Sequence, residues 1–276
     1  METDPQVVAR LRAAGCVFAE EEAAILAASA DTPAQLYAMV ARRAGGEPLE
    51  QVVGWAEFAG LRVLVDPGVF VPRRRSEYLV EVAVRLADRQ GDAVPRVIVD
   101  LCCGTGALGL AVAVELAADA DGPASAGVRL SGVELHAADL DPAAVACARR
   151  NVTPAGGHVY AGDLFSALPD SLRGRIGVLI CNAPYVPTSE IAFMPGEARD
   201  HEALMALDGG ADGLGVLRRV AADAPAWLAR GGVLLVETSE RQAPAMAAAM
   251  DAAGLAARVH NDDEWGATVV VGAQKA

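Results

Sequence analysis

From residue 76 to residue 272 short apolar runs alternate with longer stretches whose apolar positions recur at helical spacing. The pattern predicts a helix at 76–90, a strand at 96–101, a helix at 106–118 and a strand at 132–138. It continues with a helix at 142–151, strands at 157–161 and 176–181, and a helix at 213–229. A strand at 232–237, a helix at 243–253 and strands at 256–260 and 267–272 complete it. Strand and helix in alternation mean an α/β fold, a Rossmann-like, mostly parallel sheet of seven strands with helices on both faces. The short "NDDEWG" loop between the last two strands marks them as an antiparallel pair.

Ahead of this region the rhythm differs. Residues 4–14 form a helical stretch that stops at Gly15, and residues 20–29 carry their acids in the first turn, where the helix dipole favours them. A third helix opens with Thr32 as N-cap, Pro33 in its first turn and Gln35 completing a capping box, and ends at Gly45-Gly46. Next, two β-rich runs flank Asp66-Pro67-Gly68, which predicts a hairpin turning there. The expected organisation is a helical N-terminal domain (1–46), a linking β-hairpin (47–75) and a main domain (76–276).

Composition narrows the class. A hydrophobic content of 53% with only 4% aromatics fills a core with Ala, Val and Leu. No apolar run reaches membrane-spanning length and the N-terminus lacks a signal pattern, so the expectation is a cytoplasmic chain with no membrane partner. Five cysteines without a C-x-x-C pair, and four scattered histidines, favour free thiols over disulfides or zinc. The formal charge is −13, with Lys275 the single lysine, which opposes phosphate backbones. Arg73, Arg74 and Arg75 form the only dense basic run, read equally well as a solvated loop or as a functional patch.

In an open parallel sheet, ligands sit at the carboxyl ends of the strands, at the topological switch point. The first strand ends on Asp100, followed by Gly104 and Gly106 at the turn into the helix. "GTGALG" also matches a dinucleotide loop, but Asp100 ahead of the turn would repel a pyrophosphate. The second strand ends at Asp139, placed to accept ribose hydroxyls, with Asp141-Pro142 capping the next helix. The third ends near Asp163, within reach of an adenine amino group, and the fourth at Asn182. Three acids and no phosphate-binding lysine suit a ligand with a nucleoside and a cation but no phosphate. S-adenosylmethionine (SAM) has that chemistry. The expected cofactor-binding set is Asp100, Cys102, Cys103, Gly104, Thr105, Gly106, Asp139, Leu140, Asp163, Leu164 and Asn182.

The segments "PLEQVVGWAEFAGLRVLVDPGVFVPR", "VDLCCGTGALGLA", "AADLDPAAVACARRN", "GDLFSAL", "NAPYVP" and "ALDGGADGL" together resemble the HemK-type protein-glutamine methyltransferases over roughly residues 47–240. That resemblance implies a class I SAM-dependent methyltransferase sheet behind a small helical substrate-recognition domain. It also implies methylation of a glutamine amide in a translation protein, such as a release factor or a ribosomal protein. The chain departs from the family at three places. It has Asn182-Ala183-Pro184-Tyr185 for Asn-Pro-Pro-Tyr, Arg74-Arg75-Ser76 for Pro-Glu-Thr, and Cys102 where glycine is usual.

An amide nitrogen is a poor nucleophile because its lone pair is delocalised into the carbonyl. Two acceptors, one for each N–H, would aim that lone pair and favour the charge that builds on nitrogen. Asn182 can supply a side-chain oxygen and Ala183 a backbone carbonyl, Pro184 biases residue 183 toward extended backbone, and Tyr185 can pack on the amide plane. These four are the expected catalytic residues. Similar logic serves the exocyclic amine of adenine, so a nucleic-acid methylase is the alternative, and a SAM-binding module without catalysis a third. The acidic charge favours a protein partner over direct nucleic-acid binding; the resemblance implies that this partner presents an exposed glutamine, and a monomeric enzyme is expected.

Overall fold

The computed structural model describes residues 4–117 and 129–275. A seven-stranded sheet runs in the order β5-β4-β3-β6-β7-β9-β8, built from β3 (Val97–Leu101), β4 (Glu134–Asp139), β5 (His158–Ala161), β6 (Ile176–Cys181), β7 (Leu228–Thr238), β8 (Ala256–Asp262) and β9 (Ala267–Ala273). Its first five strands are parallel, while β9 is antiparallel to both neighbours. The central strands β3 and β6 are buried throughout, as apolar runs covered on both faces must be.

Helices α5 (Glu77–Gln90) and α6 (Ala107–Leu116) pack on one face with the small hairpin. Helices α9 (Gly215–Asp223) and α10 (Ala243–Ala252) pack on the other, with Phe165 and Trp227. Helix α7 (Pro142–Val152) follows β4, capped by the Asp141 carboxylate, which accepts from the Ala143 N–H at 2.9 Å. The predicted helix 106–118 matches α6 closely, and residue 118 lies outside the described residues.

Two boundaries move. The helix predicted over 213–229 ends at Asp223, because Pro225 lacks the N–H a continuing helix needs, and residues from 228 join β7. The hairpin turns elsewhere than expected. Strands β1 (Trp55–Phe58) and β2 (Leu61–Leu64) are joined through Ala59-Gly60, both with positive φ, as a two-residue hairpin turn requires. Asp66-Pro67-Gly68 forms a separate turn beyond β2, closed by the Val69 N–H on the Asp66 carbonyl at 3.1 Å.

At the N-terminal end, α1 (Pro5–Ala13), α2 (Ala19–Ser29) and α3 (Pro33–Ala44) bury Val7, Leu11, Leu26 and Val40 in a core of their own. The Thr32 hydroxyl accepts from the Gln35 N–H, and Gln35 returns a bond to the N–H of Asp31, one residue earlier than an ideal capping box. A short helix, α4 (Leu49–Val53), leads into the hairpin. It is anchored by Gln51, which bonds Val69 O and Gly68 N.

The stretch between β6 and α9 drew no element from the sequence pattern. It holds a 3₁₀ helix (Thr188–Phe193), α8 (Gly196–His201) and a 3₁₀ turn (Leu204–Ala206), which together form a cap. Glu202 fastens the cap to the linker by accepting from Arg73 at 2.6 Å and from the Val71 N–H at 3.2 Å. Among the described residues no helix is long and apolar enough to cross a membrane, and no group of side chains could hold a metal ion.

Candidate active site

A cavity of about 220 Å³ opens at the carboxyl ends of β4, β3 and β6, where the strand order reverses. Most of the expected residues meet there. Cys102, Cys103, Gly104, Thr105, Asp139, Leu140, Asp163 and Leu164 line it from the ends of β3, β4 and β5. Asn182, Ala183, Pro184 and Tyr185 line it beyond the end of β6, with Met194, Met205 and Leu207 of the cap. Asp100 and Gly106 do not reach the wall.

Each position has a local cause. Asp139 ends β4, and its two carboxylate oxygens accept from the N–H groups of Gly104 and Asp141, both at 2.9 Å. It thereby pins the glycine loop. Gly104 itself has φ +55 with open space where a Cβ would be, which lets a ligand approach the backbone. Cys102 and Leu164 also adopt positive φ, +55 and +49. That conformation costs a side-chain-bearing residue roughly 1–2 kcal/mol, and it explains why glycine is usual at the position of Cys102. Asp163 is partly exposed and pairs with Arg219 at 2.6 Å.

Asp100 lies behind the loop, fully buried. Its Oδ2 accepts from the Gly109 N–H at 2.9 Å, while Oδ1 has no partner among the described residues. Burial lifts its carboxyl from 3.8 to about 7, against the downward pull of the Gly109 bond. Between those two values the folded chain holds a proton that the unfolded chain has released. The group's contribution to stability is therefore full below about 3.8 and lost as pH rises through about 7. A displacement of that size corresponds to about 4 kcal/mol. Denaturant unfolding should show the stability of the native chain relative to Asp100→Asn falling by that order between pH 4 and pH 8. A difference independent of pH would contradict the buried proton.

Behind Asn182 and Tyr185, sequence reasoning missed the organising residue. Glu237, only 2% exposed near the end of β7, accepts from Arg75 Nε and the Tyr185 hydroxyl at 3.0 Å, from Ser76 Oγ at 2.5 Å and from Asn182 Nδ2 at 3.3 Å. The signal for it in the sequence is its place near the tip of the strand that lies beside β6 in the sheet. Tyr185 is held by Arg75 at 2.6 Å as well, and burial pushes its phenol up to about 12. The arginine run is no single patch. Arg73 pairs with Glu202, Arg75 with Glu237 and Tyr185, and Arg74 lies over the Trp265 ring at 5.8 Å.

The wall suits the ligand chemistry read from the sequence. Its three arginines, Arg73, Arg75 and Arg219, are each committed to a carboxylate, whereas among the described residues Asp139 and Asp141 accept only from backbone N–H groups. A phosphate would meet excess negative charge there, and an ammonium or sulfonium would be favoured. Remaining lone pairs on Asp139 are free for ribose hydroxyls. Losing a charge-assisted bond of that kind costs roughly 1.5–3 kcal/mol. Asp139→Ala should thus weaken SAM binding about ten- to a hundredfold by calorimetry, and unchanged affinity would remove the ribose assignment.

No protein-family model matches the chain. Among curated proteins it is 38% identical over 213 residues to a release factor glutamine methyltransferase of Streptomyces coelicolor, covering 77% of this chain and 70% of that one. It is 34% identical over 225 residues to a 4-amino-L-phenylalanine/4-methylamino-L-phenylalanine methyltransferase of Streptomyces pristinaespiralis, covering 80% and 71%. Among solved structures, a methyltransferase from Pyrococcus furiosus matches with a TM-score of 0.54 at 13% identity, covering 79% of this chain and 90% of that one. That likeness supports the fold.

Proposed function

The chain belongs to the release factor glutamine methyltransferases, SAM-dependent enzymes, and from that premise we propose that it methylates the side-chain amide nitrogen of a glutamine in a peptide chain release factor. The observation that carries this reading is the state of the Asn182 amide. Its Nδ2 is spent on Ser76 and Glu237, which leaves Oδ1 as an unspent acceptor on a residue of the cavity wall. The neighbouring Ala183 carbonyl likewise accepts no hydrogen bond from the described residues. Two such acceptors match the two N–H groups of a planar carboxamide.

Bound SAM supplies a methyl group on a positively charged sulfur. Asp139 and the Gly104 loop hold its nucleoside end, and the strand-end acids set a favourable field for its cationic end. Asn182 Oδ1 and the Ala183 carbonyl take the amide N–H groups and orient the nitrogen lone pair toward the methyl carbon. As the nitrogen–carbon bond formed, the carbon–sulfur bond would break with its electron pair passing to sulfur, leaving S-adenosylhomocysteine; positive charge would grow on nitrogen, both acceptors would bind more tightly, and one N–H proton would then pass to solvent. Tyr185, fixed at its hydroxyl by Glu237 and Arg75, packs on the amide plane. Its phenol stays protonated at working pH, so it positions and does not abstract a proton.

Helices α1–α3 are assigned to recognition of the acceptor protein. Support comes from their link to the cap, where Arg43 reaches Glu197 of α8 at 3.3 Å. The internal pairing of Arg73 and Arg75, with the net charge of −13, weighs against a nucleic-acid acceptor. Incubation with tritiated SAM and a release factor purified from cells lacking its methyltransferase tests the reading. Label should survive nuclease, vanish on protease treatment and map to glutamine by mass spectrometry. Label on adenine or on a small aromatic amine would overturn it.

A further inference from the structure

Glu237 does more than pair with Arg75. In the sheet register Cys181 of β6 stands opposite Val236 of β7, so the residues that follow them, Asn182 and Glu237, emerge side by side. A carboxylate can only accept hydrogen bonds, and an asparagine amide has a donor end and an acceptor end. With Glu237 Oε2 3.3 Å from the amide, the donor end must face it and Oδ1 must face away. Ser76 secures the same orientation, donating to Glu237 Oε2 at 2.5 Å and accepting from Asn182 Nδ2 at 3.3 Å.

From this geometry we infer that Glu237 is a positioning residue for methyl transfer, which fixes and polarises the Asn182 amide so that its Oδ1 is the acceptor presented to the substrate nitrogen. The inference rests on the reading of Asn182 given above. A carboxylate behind Nδ2 draws the amide toward its charge-separated form, and the oxygen becomes more negative. That gain grows in value as charge develops on the substrate, so it belongs to the transition state and not to substrate binding. Tyr185 shares the carboxylate through Oε1, so one buried group sets both side chains that face the acceptor.

Exchanging donor and acceptor tests this directly. Glu237→Gln keeps the shape and should lower kcat on the order of tenfold or more, with SAM affinity and acceptor KM changed only a few-fold. Asn182→Asp should be nearly inactive, because it places two carboxylates together. The double variant Asn182→Asp with Glu237→Gln restores a donor facing an acceptor, with the bond reversed so that the amide introduced on β7 donates to the carboxylate introduced after β6. Its turnover should exceed that of Asn182→Asp at least tenfold, and the kcat loss of Glu237→Gln at nearly unchanged acceptor KM and SAM affinity is the effect that a purely structural glutamate would not give. A double variant no better than Asn182→Asp would overturn the inference while leaving Asn182 as the acceptor. Turnover unaffected by Asn182→Ala would remove the reading beneath it, and the inference with it. A second readout needs no acceptor protein. In proton–nitrogen spectra of the SAM-bound chain, the Asn182 side-chain amide, assigned by its loss in Asn182→Ala, should shift on Glu237→Gln. A stationary resonance would also overturn the proposal.

Discussion

Asn182→Ala should lower turnover on the order of a hundredfold or more, with SAM affinity nearly unchanged. The alanine keeps the backbone of the loop but removes Oδ1, the side-chain acceptor proposed to strengthen as charge appears on the substrate nitrogen. Nothing at the nucleoside end depends on it, since Asp139 and Gly104 sit on different strand ends. The variant also frees Glu237 and Ser76, which remain paired with Arg75 and with each other, so the fold should survive. Single-turnover kinetics with saturating SAM, alongside calorimetry, would separate the two effects. A loss confined to SAM binding would place Asn182 in cofactor recognition instead.

Gly213→Ala should lower turnover by about a hundredfold as well, though residue 213 does not line the cavity. The segment "ALDGGADGL" runs beside the loop of residues 182–186 with backbone against backbone. Gly209 N–H donates to Val186 O at 2.8 Å and Val186 N–H to Leu207 O at 3.2 Å. Gln242 ties Tyr185 O to Asp212 O, at 2.8 and 2.9 Å. Gly213 has φ +76, and a Cβ there would fall on the Tyr185 carbonyl oxygen and the Gln242 amide. Neither is a flexible chain end, so the loop carrying Asn182 and Tyr185 must shift. Displacement of reacting groups by about 1 Å costs on the order of a hundredfold. SAM affinity should change only a few-fold, because its end of the cavity rests on β3 and β4. Near-normal turnover would show that the loop relaxes without moving the acceptors.

Most of the strand-end chemistry was legible because it is local. Asp139, Asp163 and Asn182 each close an apolar run, and the α/β alternation places all such ends on one edge of the sheet. Asp141 announced itself as a cap by standing before Pro142. The misplaced hairpin shows the limit of local signals. Asp-Pro-Gly is a strong turn sequence and does form a turn, but Ala59-Gly60, which carries a weaker signal, joins the strands because it sets their register.

What the sequence alone determined is the class of fold, the sheet edge where the cavity lies and the residue types at four strand tips. Periodicity and turn chemistry act over a few residues, and the handedness of strand–helix–strand connections does the rest. Only the tertiary structure decided that Asp100 stands behind the wall and that the arginine run divides among Glu202, Trp265 and the Glu237–Tyr185 pair. It alone showed that residues 186–212 fold into a cap, and that Glu237 gathers Arg75, Ser76, Asn182 and Tyr185. Ser76 and Glu237 lie 161 positions apart. Contacts across such separations depend on which strands become neighbours and on side chains meeting in a shared, water-poor space, and no pattern along the chain records either.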